Sequence, residues 1–332
     1  MKKLTVLCVA FAMAFTSLAG CKRTQSATDT VSKTQDNDMQ AKDSDDTTQS
    51  DATKETKTVS TALGDIEVPV NPQRVVVNWY VGDVIGLGLN IVGYYGWAQE
   101  TMPFYEELNA STKIENWEAE EIMALEPDLI VTYKDEDFDK FSGIAPVLVV
   151  NESAYSSEER FQLIGDATGR GEEAKQAINM FHTNLEAAKK ELNSGVFEGK
   201  TFSILQDWGS TGEWAGVAYE TGSRGGTLLY DYLQLSMPDK LKKLITEEGE
   251  GRGSLSYEVA HEYFGDYILW FLPENMESEY SKMEVFKNIP AVKEGNLVEI
   301  SYDYMGLFYY DDIPSLSAQL DYMVKAINTL TD

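Results

Sequence analysis

The sequence predicts an α/β protein of two similar lobes, each with a parallel-rich central sheet, joined by a single long helix. Three observations predict it. Short β-branched runs alternate with helical stretches, one helix–aspartate–strand unit occurs twice, and one unbroken apolar stripe lies between the two halves. These features fall in residues 58–332 of a 332-residue chain.

The first half, 58–154, carries four buried-strand candidates. They are Arg74-Val75-Val76-Val77, Asn90-Ile91-Val92-Gly93-Tyr94-Tyr95, Pro127-Asp128-Leu129-Ile130-Val131-Thr132-Tyr133 and Pro146-Val147-Leu148-Val149-Val150. Apolar runs this short and this rich in Val and Ile suit strands covered on both faces. Helical stretches fall between them, notably 117–125, and strands alternating with helices imply a parallel sheet. The connecting segment, 155–195, places Ala174, Ala177, Ile178, Phe181, Leu185, Ala188 and Leu192 on one helical face, with Gly195 after it. The second half, 196–332, repeats the plan. Thr201-Phe202-Ser203-Ile204-Leu205 opens it, a helix follows Arg224-Gly225-Gly226, and another covers 257–264. Tyr267-Ile268-Leu269-Trp270-Phe271 and Asn296-Leu297-Val298-Glu299-Ile300 read as strands, and a helix over about 313–330 closes the chain. Both lobes are Rossmann-like in this reading.

The internal echo is specific. Glu120 precedes Asp128 by eight residues, and Asp128 opens the run Leu-Ile-Val-Thr-Tyr. Glu258 precedes Asp266 by eight, and Asp266 opens Tyr-Ile-Leu-Trp-Phe. Two copies of one unit imply two equivalent lobes.

The N-terminus has its own logic. Lys2 and Lys3 precede a mostly apolar run over 4–19, which ends in Leu18-Ala19-Gly20-Cys21. The order of charge, apolar run and small residues before a cysteine resembles a bacterial lipoprotein leader. Residues 1–20 are then a signal peptide, Cys21 is the lipidated first residue, and the acyl chains anchor the chain to the outer face of a membrane. Residues 21–57 are polar and hold no aromatic residue. Such a segment cannot bury enough surface to offset its ordering entropy, so it reads as a flexible tether.

Composition excludes several functions. Aspartate and glutamate number 55 against 27 lysines and arginines, a net charge of −28. So acidic a surface repels phosphate backbones and argues against nucleic-acid binding. His182 and His261 are the only histidines, and Cys8 and Cys21 the only cysteines. No imidazole cluster for free manganese or zinc and no disulfide framework can be built from them. Glycines in Gly82-Asp83-Val84-Ile85-Gly86-Leu87-Gly88 lack the phosphate-loop order, and no nucleophile elbow appears. A surface glycosidase using paired carboxylates is the alternative from another class. A binding protein with no enzymatic activity and no cofactor is the preferred reading.

Lipobox, tether, two lobes and one connecting helix resemble the iron-siderophore and cobalamin class of ABC-transporter substrate-binding proteins, and among them the ferric-hydroxamate-binding lipoproteins. The residues that carry the resemblance are Asn71-Pro72-Gln73-Arg74, Ala124-Leu125-Glu126-Pro127-Asp128-Leu129-Ile130, Ile144-Ala145-Pro146-Val147, Arg224-Gly225-Gly226 with Leu229-Tyr230, and Gly265-Asp266-Tyr267-Ile268. The resemblance implies a ferric siderophore, hydroxamate in type, held as ligand between the lobes at the carboxyl ends of strands, where α/β sheets bind ligands. It also implies a monomer that delivers this ligand to a membrane permease and its ATPase. Glu120 and Glu258 match the class's permease-docking acids.

A wrapped iron needs aromatic walls and a few donors rather than a protein–metal bond. The expected walls are Trp79, Tyr80, Trp97, Tyr133, Trp208, Trp214, Tyr219, Tyr309 and Tyr310, and the expected donor is Arg224, whose fork reaches two oxygens at once. Tyr94, Tyr304 and Phe308 are expected to pack in the core or between lobes. The closest family pattern has a tryptophan two residues before the arginine, where this chain has Gly222. Tyr219 or Trp214 is expected to replace that wall, or the pocket suits another siderophore. Cobalamin, haem and catecholate siderophores are the alternatives within the class.

Overall fold

In a computed structural model, residues 55–330 are described, except 62, 213, 214, 223, 249, 250, 275 and 276. The expected leader, Cys21 and most of the tether lie outside the described residues. Among those described, no helix is long and apolar enough to cross a membrane.

Twelve strands are described. An antiparallel hairpin of β1 (Thr56–Thr61) and β2 (Gly64–Pro69) precedes the first lobe. There β3 (Val75–Asn78), β4 (Ile91–Tyr95), β5 (Thr112–Lys113), β6 (Leu129–Thr132) and β7 (Val147–Val149) form one parallel sheet in the order β5-β4-β3-β6-β7. In the second lobe β8 (Phe202–Asp207), β9 (Val217–Glu220), β10 (Arg252–Leu255), β11 (Tyr267–Phe271) and β12 (Leu297–Ile300) take the order β10-β9-β8-β11-β12. Counted within each lobe, both sheets have the same order, 3-2-1-4-5. The α/β fold of two lobes stands, and the second sheet is mixed rather than parallel throughout, because β9 and β10 run antiparallel. β10 has no apolar run that would mark it, and β9 has only the short run Val217-Ala218-Tyr219. Arg252-Gly253-Ser254-Leu255 pairs with β9 so that Gly253 faces Tyr219, and a Cβ at 253 would overlap the Tyr219 ring.

Strand alternation sorts the core. Val75, Val77, Leu129 and Val131 face one apolar cluster, and Val76, Ile130 and Val147 face another with Trp117, Ile122 and Phe141. In the second sheet Ile204, Leu269 and Phe271 join the first of these clusters, while Leu205, Ile268 and Trp270 pack a third with Tyr280 and Phe286. A single apolar cluster thus runs from the first sheet to the second.

The helix Gly171–Leu192 carries that cluster across. Its buried residues are Ala174, Phe181, Leu185, Ala188 and Leu192 of the expected stripe, with Ala177 and Ile178 partly buried against the same cluster. Glu172 and Glu173 in its first turn and Lys189 and Lys190 in its last oppose the helix dipole. The C-terminal helix Ile313–Asn328 is capped by Asp312, whose Oδ1 accepts from the Ser315 N–H at 2.8 Å. It packs on the connecting helix, on the first-lobe helices Val81–Gly86 and Ser157–Ala167, and on the second-lobe stretch Thr227–Tyr232. It therefore straddles both lobes. Beside it Arg160 donates from Nε to Asp83 Oδ2 at 2.9 Å and from Nη2 to Asp311 Oδ1 at 3.1 Å.

Candidate functional site

The central strands β3 and β8 each lie beside a strand reached by crossing over, β6 and β11. The carboxyl ends at these crossing points are where an open α/β sheet leaves a crevice. A cleft of about 620 Å³ lies there. From the second lobe it takes Gln206 and Asp207 at the end of β8, Trp208 just after, and Pro273 and Glu274 beyond β11. Trp97 comes from beyond β4, and Tyr302, Met305 and Tyr309 from the segment between β12 and the last helix. A second depression of about 640 Å³ lies between β1 and helix Ser157–Ala167. It lies at no crossing point of the two five-stranded sheets and is lined by no arginine or tryptophan, so the first cleft is the candidate site.

Arg224 is placed by its backbone. Its φ is 62°, and its N–H donates to the Phe308 carbonyl at 2.7 Å. Gly225 follows at φ 92°, and a Cβ there would lie 2.5 Å from Met323 Cε and 3.0 Å from Ile204 and Phe308. Only glycine lets the turn press so closely on the core. The guanidinium donates from Nη1 to Gln206 Oε1 at 3.2 Å and stands 5.0 Å from the Trp208 ring centroid. Arg252 approaches the same ring at 5.7 Å.

The opposite wall is a chain of rings. Tyr309 lies 4.6 Å from Trp97 and 5.6 Å from Trp79, and Trp79 lies 6.5 Å from Tyr133. Trp79 has φ 71°. Burial raises the Tyr309 hydroxyl above its ordinary pKa, against the nearby Arg224 and Arg252, so it is a neutral donor at pH 7. Tyr302 is raised too, by burial and then by the Glu274 carboxylate.

Asp207 touches the cleft but is committed to its frame. Its Oδ1 accepts from the Tyr257 hydroxyl at 2.5 Å and the Gly209 N–H at 2.9 Å, and its Oδ2 from the Tyr280 N–H at 3.2 Å. These bonds fix the loop that presents Trp208.

Of the expected walls, Trp97, Trp208 and Tyr309 line the cleft with Arg224, and Trp79 and Tyr133 stand behind Tyr309 in the ring chain. Three others are elsewhere. Tyr80 is 2% exposed, and its hydroxyl donates to the Val150 carbonyl at 2.7 Å. Tyr310 is 5% exposed and donates to the Trp97 carbonyl at 3.0 Å, so it supports the wall from behind. Tyr219 is 3% exposed in the second-lobe core, and so does not replace the wall missing at Gly222. A Cβ at Gly222 would meet nothing within 4 Å. Trp214 lies outside the described residues. Tyr94 and Phe308 are buried as expected, while Tyr304 is 40% exposed against Tyr322. Gln206, Arg252, Glu274, Tyr302 and Met305 were not singled out in the sequence. Position after a strand run was the available signal for Glu274.

Glu120 lies exposed in helix Ala119–Met123, and Glu258 lies exposed in the turn before Ala260–Tyr263. Among the described residues no group of three or more His, Cys, Asp and Glu side chains stands in position to hold a metal ion.

Comparison with known proteins places this geometry. The family described as periplasmic binding protein matches residues 84–304. The iron(3+)-hydroxamate-binding protein YxeB of Bacillus subtilis is 32% identical over 275 residues, covering 80% of this chain and 84% of its own length. The iron(3+)-hydroxamate-binding protein FhuD of the same organism is 29% identical over 284 residues, covering 82% and 87%. A Bacillus subtilis crystal structure of the FhuD fold family, a periplasmic binding protein component of a Fep/Fec-like ferrichrome ABC transporter, superposes with a TM-score of 0.69. It is 26% identical, over 81% of this chain and 99% of that one.

Proposed function

Because the chain belongs to the periplasmic binding protein family, we propose that it is the substrate-binding component of an ABC importer and captures a ferric hydroxamate siderophore. It is a binding protein, not an enzyme. The observation that carries the ligand is the pairing of Arg224 over Trp208 on one side of the cleft with Trp97 and Tyr309 on the other.

A ferric trishydroxamate is a neutral organic shell around a saturated iron. The rings cover its apolar surface, and Arg224 and the Tyr309 hydroxyl supply hydrogen bonds to its oxygens. Two relatives named as iron(3+)-hydroxamate-binding proteins support the same ligand class. A triscatecholate complex carries about three negative charges, and Glu274 and Asp207 stand against it in this cleft.

Glu120 and Glu258 dock the loaded protein on its permease. Their places in the two repeated units support this role, since a two-fold permease presents two equivalent partners. Cys21 carries the lipid anchor, and the segment from residue 22 up to β1 spaces the binding body from the membrane. The expected tether ends earlier than residue 57, because Thr56 and Lys57 pair with Pro69 and Val68 in the first hairpin. The protein works as a monomer at the outer face of the cell membrane.

The test is a tryptophan-fluorescence titration of the full chain with ferrioxamine B, ferrichrome, ferric enterobactin, haem and cobalamin. The hydroxamates bind tightest. Tighter binding of enterobactin, haem or cobalamin refutes the ligand assignment.

A further inference from the structure

We infer that Glu274 makes this cleft selective for ferric hydroxamates that carry a pendant protonated amine. The inference rests on the hydroxamate reading and adds the charge of the ligand to it.

Glu274 stands three residues beyond β11, on the cleft wall at the crossing point of the second sheet. Its side chain is exposed to the cleft and faces the Tyr302 hydroxyl. The described ion pairs give the carboxylate no lysine, arginine or histidine within 4.0 Å. The cleft's own guanidinium, Arg224, is turned to Gln206 and Trp208. The site therefore has two electrostatic poles: a cation for the hydroxamate oxygens and an anion that a neutral iron shell does not use.

Charge arithmetic says what the anion takes. Three hydroxamates neutralise one ferric ion, so a closed or acylated trishydroxamate is neutral. A linear one that ends in a primary amine carries a single positive charge at neutral pH. The ammonium donates to the Glu274 carboxylate, while the shell sits among Trp97, Trp208 and Tyr309. Rings that tolerate an organic shell also tolerate its cationic arm. A partly exposed ion pair of this kind changes affinity about fivefold, and less at high salt.

The experiment compares ferrioxamine B with its N-acetylated form, which keeps the iron shell and lacks the charge. Full-length protein and the Glu274→Gln and Glu274→Lys variants are titrated with both ligands in low salt and in 0.5 M NaCl. The expected result is an affinity ratio of about fivefold for the amine in the native protein, shrinking in salt. The ratio falls to about one in Glu274→Gln and drops below one in Glu274→Lys. Equal affinity of the native protein for the two ligands, or a ratio that persists in both variants, overturns the role of Glu274 and leaves hydroxamate binding standing. Failure of both ligands to bind the native protein overturns the hydroxamate reading and this inference with it.

Discussion

Asp128 and Asp266 do the same work in the two lobes. Asp128 accepts the backbone N–H of Arg74 at 2.8 Å and of Gln73 at 3.0 Å, just before β3. Asp266 accepts the N–H of Thr201 at 2.8 Å and its hydroxyl at 2.9 Å, just before β8. Each carboxylate ties the start of its own strand to the start of the central strand beside it, so the repeat seen in the sequence is a repeat of hydrogen bonding.

Replacing either aspartate with alanine removes these bonds from amides that water can reach, at a cost of about 0.5–1.5 kcal/mol per bond. Partial burial raises Asp266, but hydrogen bonds from Thr201 and the charge of Lys200 outweigh it and hold the carboxyl below its ordinary range. Its contribution is present above the unfolded carboxylate pKa and is lost as pH falls through the lower folded value. Thermal melts of Asp266→Ala and the native protein therefore differ at pH 7 and converge toward pH 3.

Ligand affinity tests Arg224. Arg224→Ala weakens ferric hydroxamate binding about tenfold or more, the scale of a hydrogen bond to a charged donor. Arg224→Lys recovers part of the loss, because an ammonium lacks the planar fork. Isothermal titration of both variants measures it, and equal affinities for Arg224→Ala and native protein refute the donor role.

The cluster around Arg160 sets a second pH dependence, opposite in sign. Burial pushes the Asp83 carboxyl up to about 7 against the pull of Arg160, and neighbouring Asp312 and Asp311 add to the rise. Burial likewise lifts Asp312 to about 6. Asp83 Oδ1 has no hydrogen-bond partner among the described residues. The folded state therefore binds protons that the unfolded chain releases above about pH 4, and stability falls as pH rises from about 4 through 7. Denaturant melts show a higher midpoint at pH 5.5 than at pH 7.5, and Asp83→Asn flattens that slope. An unchanged slope in Asp83→Asn refutes the assignment.

Glu120 and Glu258 are tested by transport rather than binding. Each alanine variant lowers siderophore uptake by cells, and the double variant lowers it further, while titration of the isolated chain gives native affinity. Normal uptake in the double variant refutes docking through these residues.

The buried framework was legible in the sequence because it is written in local patterns. The runs Val75-Val76-Val77 and Leu129-Ile130-Val131, the stripe from Ala174 to Leu192 and the paired aspartates each carry their signal within a few residues. The site was legible only in part. Trp79 and Tyr80 both follow β3, but a left-handed turn at Trp79 sends one ring toward Tyr309, while Tyr80 bonds Val150. Sequence adjacency cannot separate the two. Arg252 reaches Trp208 only because β10 pairs beside β9, a contact between residues 44 apart. Tyr219 looked like a cleft ring until Gly253 gave it a place in the core.

The ring-bearing segment after β12 is stitched to the first lobe. Gln99 Oε1 accepts the Gly306 N–H, Thr101 donates to the Asp303 carbonyl at 2.6 Å, and Tyr310 holds the Trp97 backbone. Prying the halves apart would tear these stitches and wet the shared interior. A receptor so laced has little change of silhouette with which to announce its cargo. The importer then meets full and empty copies on nearly equal terms, and throughput follows the ratio of the two.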